Sequence, residues 1–550
     1  MRQRQGGPQA GRSWFPLRHF HERFIAAPGC GGEGSCGHPG DRYRGQTNLA
    51  ERLYVTANAD KQQYRDEVGE LIADYVVNVS GKLDARAERA AKAALIDSIA
   101  VAIAALRHPA AQNARKHAYR FPANGKSCVI WGTHKRAAPE LAALTNGVLL
   151  RCHDYNDFFV GRRNSGHSSD ILSSVIAAAE WTNAPGKKLL SAVAIGYEMV
   201  GAAFDAFSTA PGGWDYTNLS ALGATAAIAR LLNLNADQTR EAMGMTVIPH
   251  FASDEIESGE LNRRGDLSMW KRFNGSDAAR NALQACLLAQ VGVEAAVRPF
   301  VGKCGFIQKM NMKDDPVPVL RERLDPKLPL TRVNDAFMKR WPVGSVAQST
   351  IQAAIQARSR IKDLSRIKQI RVFAEEGAYD HLVKIRQDPW NPISRETADH
   401  SLPYIVAAAV LDGTIAVNSF TPKVVLNPER QAFIKKVTCA PALELGSHAM
   451  GKHRRVEMGY LSRVEIELDD GTVVHGDARP FPGHHRNPFT DADLDEKLRE
   501  NVEPVAGAQR AARLTELLWS LDKVKSTREL TKLLAFGGKI DIDSARVRER

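Results

Sequence analysis

The chain has 550 residues, of which 44% are hydrophobic and 25% are charged, and these values are ordinary for a soluble globular enzyme. A chain of this length is too long for one compact core, so it predicts two domains. The net charge of +12 is concentrated toward the two arginine-rich ends, which we interpret as solvated tails. Nucleic-acid binding is not expected, because no recognisable binding module accompanies these basic stretches.

The seven cysteines are scattered and include no Cys-x-x-Cys pair. This spacing argues against an iron–sulfur cluster, a structural zinc site and a disulfide framework. We therefore expect no metal and a reducing compartment, the cytoplasm. Cys30 and Cys36 precede His38 among glycines, and we interpret this cluster as incidental. Apolar runs are interrupted by Asp97 and Glu198, so no membrane span or membrane partner is expected.

The first part of the chain predicts a large all-α domain over residues 61–332. Residues 1–60 combine arginines with glycine and proline and show no sustained periodicity, which predicts a disordered or extended segment. Apolar residues then recur at helical spacing, and small residues favour close helix packing. The alanine-rich segments with this pattern are Ala90 to Leu106, Ala138 to Leu150, Ile171 to Trp181, Leu189 to Phe207, Ala221 to Leu232 and Ala278 to Val291.

The pattern changes over residues 333–490, which we predict to form a smaller α/β (α+β) lid domain. Ile367 to Ala374 and Arg463 to Leu468 alternate like half-buried strands. Asp470-Gly471 supplies a hairpin turn after the second of them. Helical patterns at Gln348 to Arg358 and Leu402 to Leu411 lie between these strands. Residues 491–550 are predicted to be helices that pack back on the body.

A polar stretch runs from Arg151 to Asp170, between two helical patterns. It contains Asp154, Asn156, Asp157 and His167. A polar loop held by rigid helices is a common location for catalytic groups. The alternative is structural, because aspartates of this kind often cap helices and a single histidine is more often structural than catalytic.

Two Lys-Arg pairs are candidate binding sites for carboxylates. Lys271 and Arg272 stand just before an alanine-rich helix, and Lys339 and Arg340 stand where the lid domain is predicted to begin. Cations at a helix entrance or in a partly dry cleft attract anionic groups. Solvated basic turns are the alternative interpretation of both pairs.

Several segments together resemble the MmgE/PrpD family. Asp154-Tyr-Asn-Asp157 followed by Gly166-His167-x-Ser-Asp170 resembles that family's Asp-Phe-Asn-Asp … Gly-His-Pro-Ser-Asp signature. The resemblance covers about residues 62–518. The other similar segments, in family order, are Met269-Trp-Lys271 running into Asp277-Ala-Ala-Arg280, Pro299-Phe300 with Gly305-Phe306, Lys339-Arg-Trp-Pro342 with Gln348, Glu396-Thr-Ala-Asp-His400-Ser-Leu-Pro-Tyr404, and Gly483-His484 with Asn487-Pro488.

The resemblance implies an all-α body with an α/β lid, a homodimer, and catalysis without a metal or an organic cofactor. Activities in the family include 2-methylcitrate dehydration, cis-aconitate decarboxylation and iminodisuccinate epimerisation. We therefore expect a hydro-lyase that acts on a small di- or tricarboxylate by proton abstraction next to a carboxylate. A decarboxylase or epimerase of a related acid is the first alternative, and an inactive family member with a binding role is the second.

Motif position assigns the site residues that the resemblance implies. The expected catalytic residues are Asp154, His167, Lys271, Lys339 and Tyr404, with the lysines holding carboxylates and Tyr404 donating a proton to the leaving group. Either His167 or Asp154 is the general base, and the sequence leaves this choice open. The expected substrate-binding residues are Asn156, Asp157, Tyr216, Arg272, Arg340 and His400.

Three positions depart from the family pattern. Phe158 replaces a frequent threonine, Ser168 replaces the proline after the motif histidine, and Tyr216 stands where relatives often have histidine. These changes alter the hydrogen bonding of the expected pocket, so the substrate need not be methylcitrate. Arg162 and Arg163 either supply replacement carboxylate contacts or face solvent.

Overall fold

The computed structural model describes residues 65–123, 125–257, 262–263, 265–445, 461–477 and 480–537. The predicted N-terminal segment 1–60, with Cys30, Cys36 and His38, lies outside the described residues. Residues 538–550 of the predicted C-terminal segment also lie outside them.

The described part of the chain up to residue 332 is largely helical, as the apolar periodicity predicts. Local signals set several helix ends. The Asp84 side chain accepts from the backbone N–H of Ala87 at 2.7 Å and caps one helix, whereas Asn183 and Asn233 end others in the left-handed conformation. The helices are Glu67–Asn78, Ala85–Ala104, Pro109–Ala118, Pro139–Arg151, Leu172–Thr182, Gly186–Ala206, Thr217–Leu232, Ala236–Val247, Asn274–Gln290, Phe306–Lys309 and Val317–Arg323.

One hydrophobic core lies among these helices, and we call this part the body. The helices that follow the lid contribute to the same core through buried leucines such as Leu498 and Leu514. Their bounds are Asp491–Ala506, Ala508–Trp519 and Arg528–Leu534. The helix Gly186–Ala206 is long and apolar enough to cross a membrane, but it is almost entirely buried within the body. It is therefore a core helix of the body.

A four-stranded mixed sheet lies in the C-terminal part of the chain. Its spatial order is Val437–Pro441, Ile367–Ala374, Ser462–Leu468 and Val473–Asp477, with the first pair parallel and the other pairs antiparallel. Val464 and Ile466 are buried on one face, as the alternation predicts. Gly476 is required where the sheet meets a helix, because a Cβ there would lie 1.8 Å from the Ala353 carbonyl oxygen.

The sheet and its neighbouring helices enclose a second hydrophobic core, and we call this part the lid. The two cores are consistent with the predicted two-domain layout, whose exact boundaries stay a prediction. The lid helices are Gln348–Arg358, Glu376–Tyr379, Arg395–Ala398, Leu402–Asp412, Pro422–Val425 and Pro428–Ile434.

Body and lid meet at a short backbone bridge between Phe158 and Phe337. The Phe158 N–H donates to the Phe337 carbonyl at 2.8 Å, and the Phe337 N–H donates back at 2.6 Å. Phe158 belongs to the core of the lid although it follows the body helix Pro139–Arg151. This bridge places the polar loop of the body beside the first residues of the lid, including Lys339.

Candidate active site

Asp154 and Lys339 form a buried ion pair between body and lid. Lys339 Nζ donates to Asp154 Oδ1 at 2.7 Å and to the Asp154 carbonyl at 2.8 Å, and the two residues are 0% and 4% exposed. Burial lowers the pKa of Lys339 to about 8 despite the neighbouring carboxylate. Burial also opposes ionisation of Asp154, but Lys339 and Arg151 hold the pKa of Asp154 well below its usual value.

The backbone of Asp154 is in the left-handed region, with φ of 48°. Non-glycine residues adopt this conformation rarely, at a cost of about 1–2 kcal/mol. Strained residues of this kind cluster at functional sites, where the surrounding structure fixes them. The two bonds from Lys339 are part of what holds Asp154 in place.

His167 approaches the same carboxylate with one ring nitrogen. Its Nδ1 lies 2.5 Å from the Asp157 carbonyl, which can only accept, so Nδ1 carries the proton. Its Nε2 lies 3.5 Å from Asp154 Oδ1. The ring packs between Phe158 and Tyr216, at centroid distances of 5.3 and 5.8 Å. Burial and two neighbouring cations lower the pKa of His167 well below its usual value, so the imidazole is neutral and Nε2 is a proton acceptor.

Lys271 from the body and His400 from the lid lie beside Asp154, Lys339 and His167. We call these five residues the cluster. Lys271 Nζ lies 2.7 Å from His400 Nε2, and His400 Nδ1 lies 2.5 Å from Asp399 Oδ1. This arrangement orients the imidazole between a carboxylate and an ammonium. His400 Nε2 also lies 3.6 Å from Asp154 Oδ2. Arg272 donates to Asp399 at 3.0 Å and is fully buried, so it supports the histidine from behind.

Arg151 is a site residue that the sequence analysis did not assign. It lies 3.6 Å from Asp154 and 3.4 Å from Asp170, and it donates to Asn156 Oδ1 at 2.9 Å. The Tyr216 hydroxyl donates to Asp170 at 2.9 Å. Burial raises the pKa of Asp170 against the effect of Arg151. Arg151 therefore joins the predicted residues Asn156 and Tyr216 to the cluster, and it adds a second cation beside Asp154.

Asn156 and Asp157 hold the loop rather than facing an open pocket. Asn156 donates to the Ser169 hydroxyl at 2.8 Å. Asp157 accepts from the Ser169 N–H at 2.9 Å and from the Tyr197 hydroxyl at 2.7 Å. Burial raises the pKa of Asp157 to about 6, although both donors oppose this shift. Both side chains tie the Asp154 loop to the turn that follows His167.

The structure does not bring Tyr404 or Arg340 to this cluster. The Tyr404 hydroxyl donates to the Ser419 carbonyl, and its fully buried ring packs on Phe420. The Arg340 side chain extends toward Glu500, with a closest N···O distance of 3.9 Å. Tyr404 follows His400 closely in the sequence, but its hydroxyl is bonded to the Ser419 carbonyl and does not face the cluster.

The side chains of Arg162 and Arg163 face solvent, which is one of the two alternatives that the sequence left open. Arg162 pairs with Glu322 at 2.8 Å and Arg163 pairs with Asp314, in both cases at the surface. They supply no replacement contact within the cluster. In place of the threonine hydroxyl and the histidine imidazole of the family pattern, this chain has the Phe158 ring, packed on His167, and the Tyr216 hydroxyl, bonded to Asp170.

A cleft of about 900 Å³ opens beside the cluster. Its lining includes residues next to Asp154 and Lys339 in the sequence, namely His153 and Tyr155 from the body and Arg340 and Trp341 from the lid. Within the described ranges, no group of three or more His, Cys, Asp and Glu side chains is placed to hold a metal ion.

Comparisons with known proteins agree with the motifs. The family model described as the MmgE/PrpD N-terminal domain matches residues 70–318, and that of the C-terminal domain matches residues 341–523. Relatives include the cis-aconitate decarboxylase-like protein oryM of Aspergillus oryzae, which is 24% identical over 81% of this chain and 92% of its own length.

Two further relatives have different activities in their names. The 2-methylcitrate dehydratase of Cupriavidus necator is 24% identical over 80% of this chain and 90% of its own length. The cis-aconitate decarboxylase of Mus musculus is 24% identical over 81% of this chain and 88% of its own length. The two family models together span most of the sequence, and the chain belongs to the MmgE/PrpD family.

Proposed function

We propose that this chain is a lyase that removes water from a small di- or tricarboxylic acid after taking a proton from the carbon next to a carboxylate. One observation carries the proposal. His167 Nε2 and Lys339 Nζ both lie beside Oδ1 of Asp154, at 3.5 and 2.7 Å. A proton acceptor, His167, and a proton donor, Lys339, are therefore linked through the Asp154 carboxylate. Relatives named 2-methylcitrate dehydratase support this choice.

His167 is the proposed general base. Its Nδ1 proton is bonded to a carbonyl, so the lone pair of Nε2 faces the cluster. Asp154 is the weaker candidate, because its Oδ1 already accepts a hydrogen bond from Lys339 at 2.7 Å and lies 3.6 Å from Arg151. The side chains thus favour one of the two bases that the sequence left open.

Lys339 is the proposed general acid, and Lys271 the proposed carboxylate ligand. A lysine with a pKa of about 8 is a better proton donor near neutral pH than an ordinary lysine. Negative charge builds on the substrate carboxylate as the C–H proton leaves, and nearby cations stabilise it. Lys271 and Arg151 are buried cations of the same cluster and serve this purpose.

The proposed reaction balances within these residues. The C–H bond breaks and its proton moves to His167 Nε2, while its electrons form the C=C bond. The C–O bond breaks, and the hydroxyl leaves as water with a proton from Lys339. His167 is then positively charged and Lys339 is neutral. Asp154 Oδ1 lies between the two nitrogens and is placed to return the proton to Lys339.

The burial of the cluster indicates how substrate reaches it. Asp154, His167, Lys271, Lys339 and His400 are each 6% exposed or less. We infer that substrate enters when the lid moves away from the body, and that closure then excludes water. The cleft of about 900 Å³ between the two parts lies next to the residues that would separate.

Decarboxylation is a second candidate that one observation favours. The Phe158 ring lies 5.3 Å from the ring of His167 and makes this side of the cluster apolar. A carboxylate held against an apolar surface loses solvation, which favours its departure as carbon dioxide. Relatives named cis-aconitate decarboxylase agree with this possibility.

Proton NMR in deuterated water with a panel of acids tests both candidates. The panel contains citrate, 2-methylcitrate, cis-aconitate and substituted succinates. Water loss supports the dehydratase proposal, and carbon dioxide loss supports the second candidate. Exchange of a C–H proton without net loss would identify an epimerase. If every acid stays unchanged and unlabelled, the chain is better described as a binding member of the family.

We further propose that the protein acts in the cytoplasm as a homodimer without a metal or an organic cofactor. The family resemblance supports the dimer and the cofactor-free reaction, and the scattered cysteines support the reducing compartment. Light scattering of the purified full chain measures its mass in solution, and a monomer would contradict the proposed assembly.

A further inference from the structure

A buried lysine from the C-terminal part of the chain lies directly behind the candidate site. Lys497, in the helix Asp491–Ala506, has a side chain that is 1% exposed. Its Nζ donates to Asp97 Oδ1 at 2.5 Å, to the Lys339 carbonyl at 2.7 Å and to the Tyr155 carbonyl at 3.4 Å. One ammonium therefore joins a carboxylate with two main-chain oxygens.

The two carbonyls belong to the segments that carry the buried ion pair. One is the carbonyl of Lys339 itself, and the other belongs to Tyr155, the residue after Asp154. The Lys497 ammonium also lies 3.9 Å from the centroid of the Tyr155 ring. Lys497 thus contacts the backbone of Lys339 and of the residue after Asp154, and its bonds do not involve the charged groups of that pair.

A buried ion pair is a poor way to add stability alone. Desolvation of two charges offsets most of their attraction, and well-packed apolar residues are often as stable. Burial lowers the pKa of Lys497, and Asp97 opposes that shift. The placement of the ammonium at two carbonyls therefore indicates a geometric role.

Other bonds join the same two segments. The backbone bridge links Phe158 and Phe337, and the Tyr155 hydroxyl donates to the Arg340 carbonyl at 2.9 Å. These bonds run between body and lid. Lys497 differs because it reaches both segments from a third element and fixes them relative to the helix Ala85–Ala104, which carries Asp97.

We propose that Lys497 is a positioning residue, which holds the carbonyls of Tyr155 and Lys339 so that Asp154 and Lys339 keep their buried contact during catalysis. Its effect on turnover rests on the proposed lyase function. Its effect on the two segments does not, because the contacts of Lys497 exist whatever the reaction is.

The variant Lys497→Met removes the ammonium and keeps most of the side-chain volume. We expect kcat to fall at least tenfold, on whichever panel acid the wild-type enzyme converts, with KM changing less than threefold. The double variant Lys497→Met with Asp97→Asn leaves no unpaired buried charge. It should regain thermal stability but not kcat. Recovery of kcat in the double variant would overturn the proposal, because Lys497 would then serve only to neutralise Asp97.

Lys92→Met is the matched control. Lys92 lies on the helix Ala85–Ala104, which also carries Asp97, and its ammonium pairs with Asp522 at 2.6 Å. This variant should lose some stability and keep its kcat. If Lys92→Met lowers kcat as much as Lys497→Met does, the effect reports general loosening and the proposal fails.

Amide hydrogen exchange gives a measurement that needs no substrate. In Lys497→Met, peptides covering residues 154–160 and 335–343 should exchange faster than in the wild type, and in Lys92→Met they should not. Unchanged exchange in both segments would overturn positioning by Lys497. If no panel acid is converted by the wild type, the lyase proposal fails, and the exchange measurement still decides the role of Lys497.

Discussion

Lys339 donates to both the side chain and the backbone carbonyl of Asp154, at 2.7 and 2.8 Å. The two bonds fix a carboxylate whose backbone has a strained left-handed conformation. The pair is also where body and lid meet, so it couples the closed arrangement of the two parts to the geometry of the proposed reaction. Because the pair is buried, removing one partner leaves the other as an uncompensated buried charge.

Lys271→Ala should lower kcat/KM about tenfold to a hundredfold. The lost ammonium is buried and contacts His400 at 2.7 Å, and a bond to a charged group contributes about 1.5–3 kcal/mol. The measurement is kcat/KM together with the thermal midpoint. Lys368→Ala is the control, because that lysine is exposed and pairs with Glu467 at the surface. Equal turnover in both variants would remove Lys271 from the site.

Lys339→Ala should lower both activity and stability. Lys339 lies in a closed network rather than at an open cleft edge, and its removal leaves Asp154 as a buried charge without its closest cation. Breaking a buried pair in this way costs about 3–5 kcal/mol. Chemical denaturation measures the loss. A variant as stable as the wild type would show that Lys339 is not paired in solution as it is here.

The pH profile of kcat/KM should have a basic limb near pH 8. The proposed acid works only while Lys339 is protonated, so activity is present below its pKa of about 8 and is lost as the pH rises through that value. The pKa of His167 is well below its usual value, so the base stays neutral and activity persists down to pH 6.5. Lys339→Arg should lose most of its activity, because arginine does not release a proton in this range, and the activity that remains should lack the basic limb. An unchanged limb in that variant would assign it to another group.

Tyr404→Phe should leave turnover within about threefold of the wild type. Its hydroxyl is used by the Ser419 carbonyl, so its removal costs stability of about 1 kcal/mol rather than catalysis. The thermal midpoint and kcat of the variant check this. A large selective loss of kcat with normal stability would show that Tyr404 turns toward the substrate and would restore the role that the family resemblance implies.

Activity should survive dialysis against EDTA, because the proposed chemistry uses only side chains of the chain. The assay compares turnover before and after dialysis, and again after addition of divalent cations. Loss on chelation and recovery with one metal would contradict the proposed mechanism.

The sequence predicted the elements of the fold better than the contacts of the site. Apolar periodicity located helices such as Leu172–Thr182 because their burial repeats along the chain. The edge strand Val437–Pro441 was missed, since its alternation is short and half-exposed. Family motifs named Lys271 and Lys339, but motifs do not show where a side chain points. The Tyr404 hydroxyl, for example, donates to the Ser419 carbonyl and does not reach the cluster.

Residues without a motif were harder to find. Arg151 opens the polar stretch that the sequence analysis identified, yet its role depends on Asp170, which lies on the turn after His167. Lys497 reaches the site from more than 150 residues along the chain after Lys339. Such contacts follow from tertiary packing, and one sequence carries no local signal for them.

In the proposed mechanism, neutral His167 takes the substrate proton. The direct test uses proton NMR in deuterated water. It measures the rates of deuterium incorporation into the substrate and of water loss for the wild type and for His167→Asn. Asparagine retains an N–H that can reach the Asp157 carbonyl, but it is not a base. The variant should keep a thermal midpoint close to that of the wild type and should lose about 10²–10⁴-fold in both rates. A variant that still exchanges and dehydrates substrate within tenfold of the wild-type rates would show that His167 is not the base.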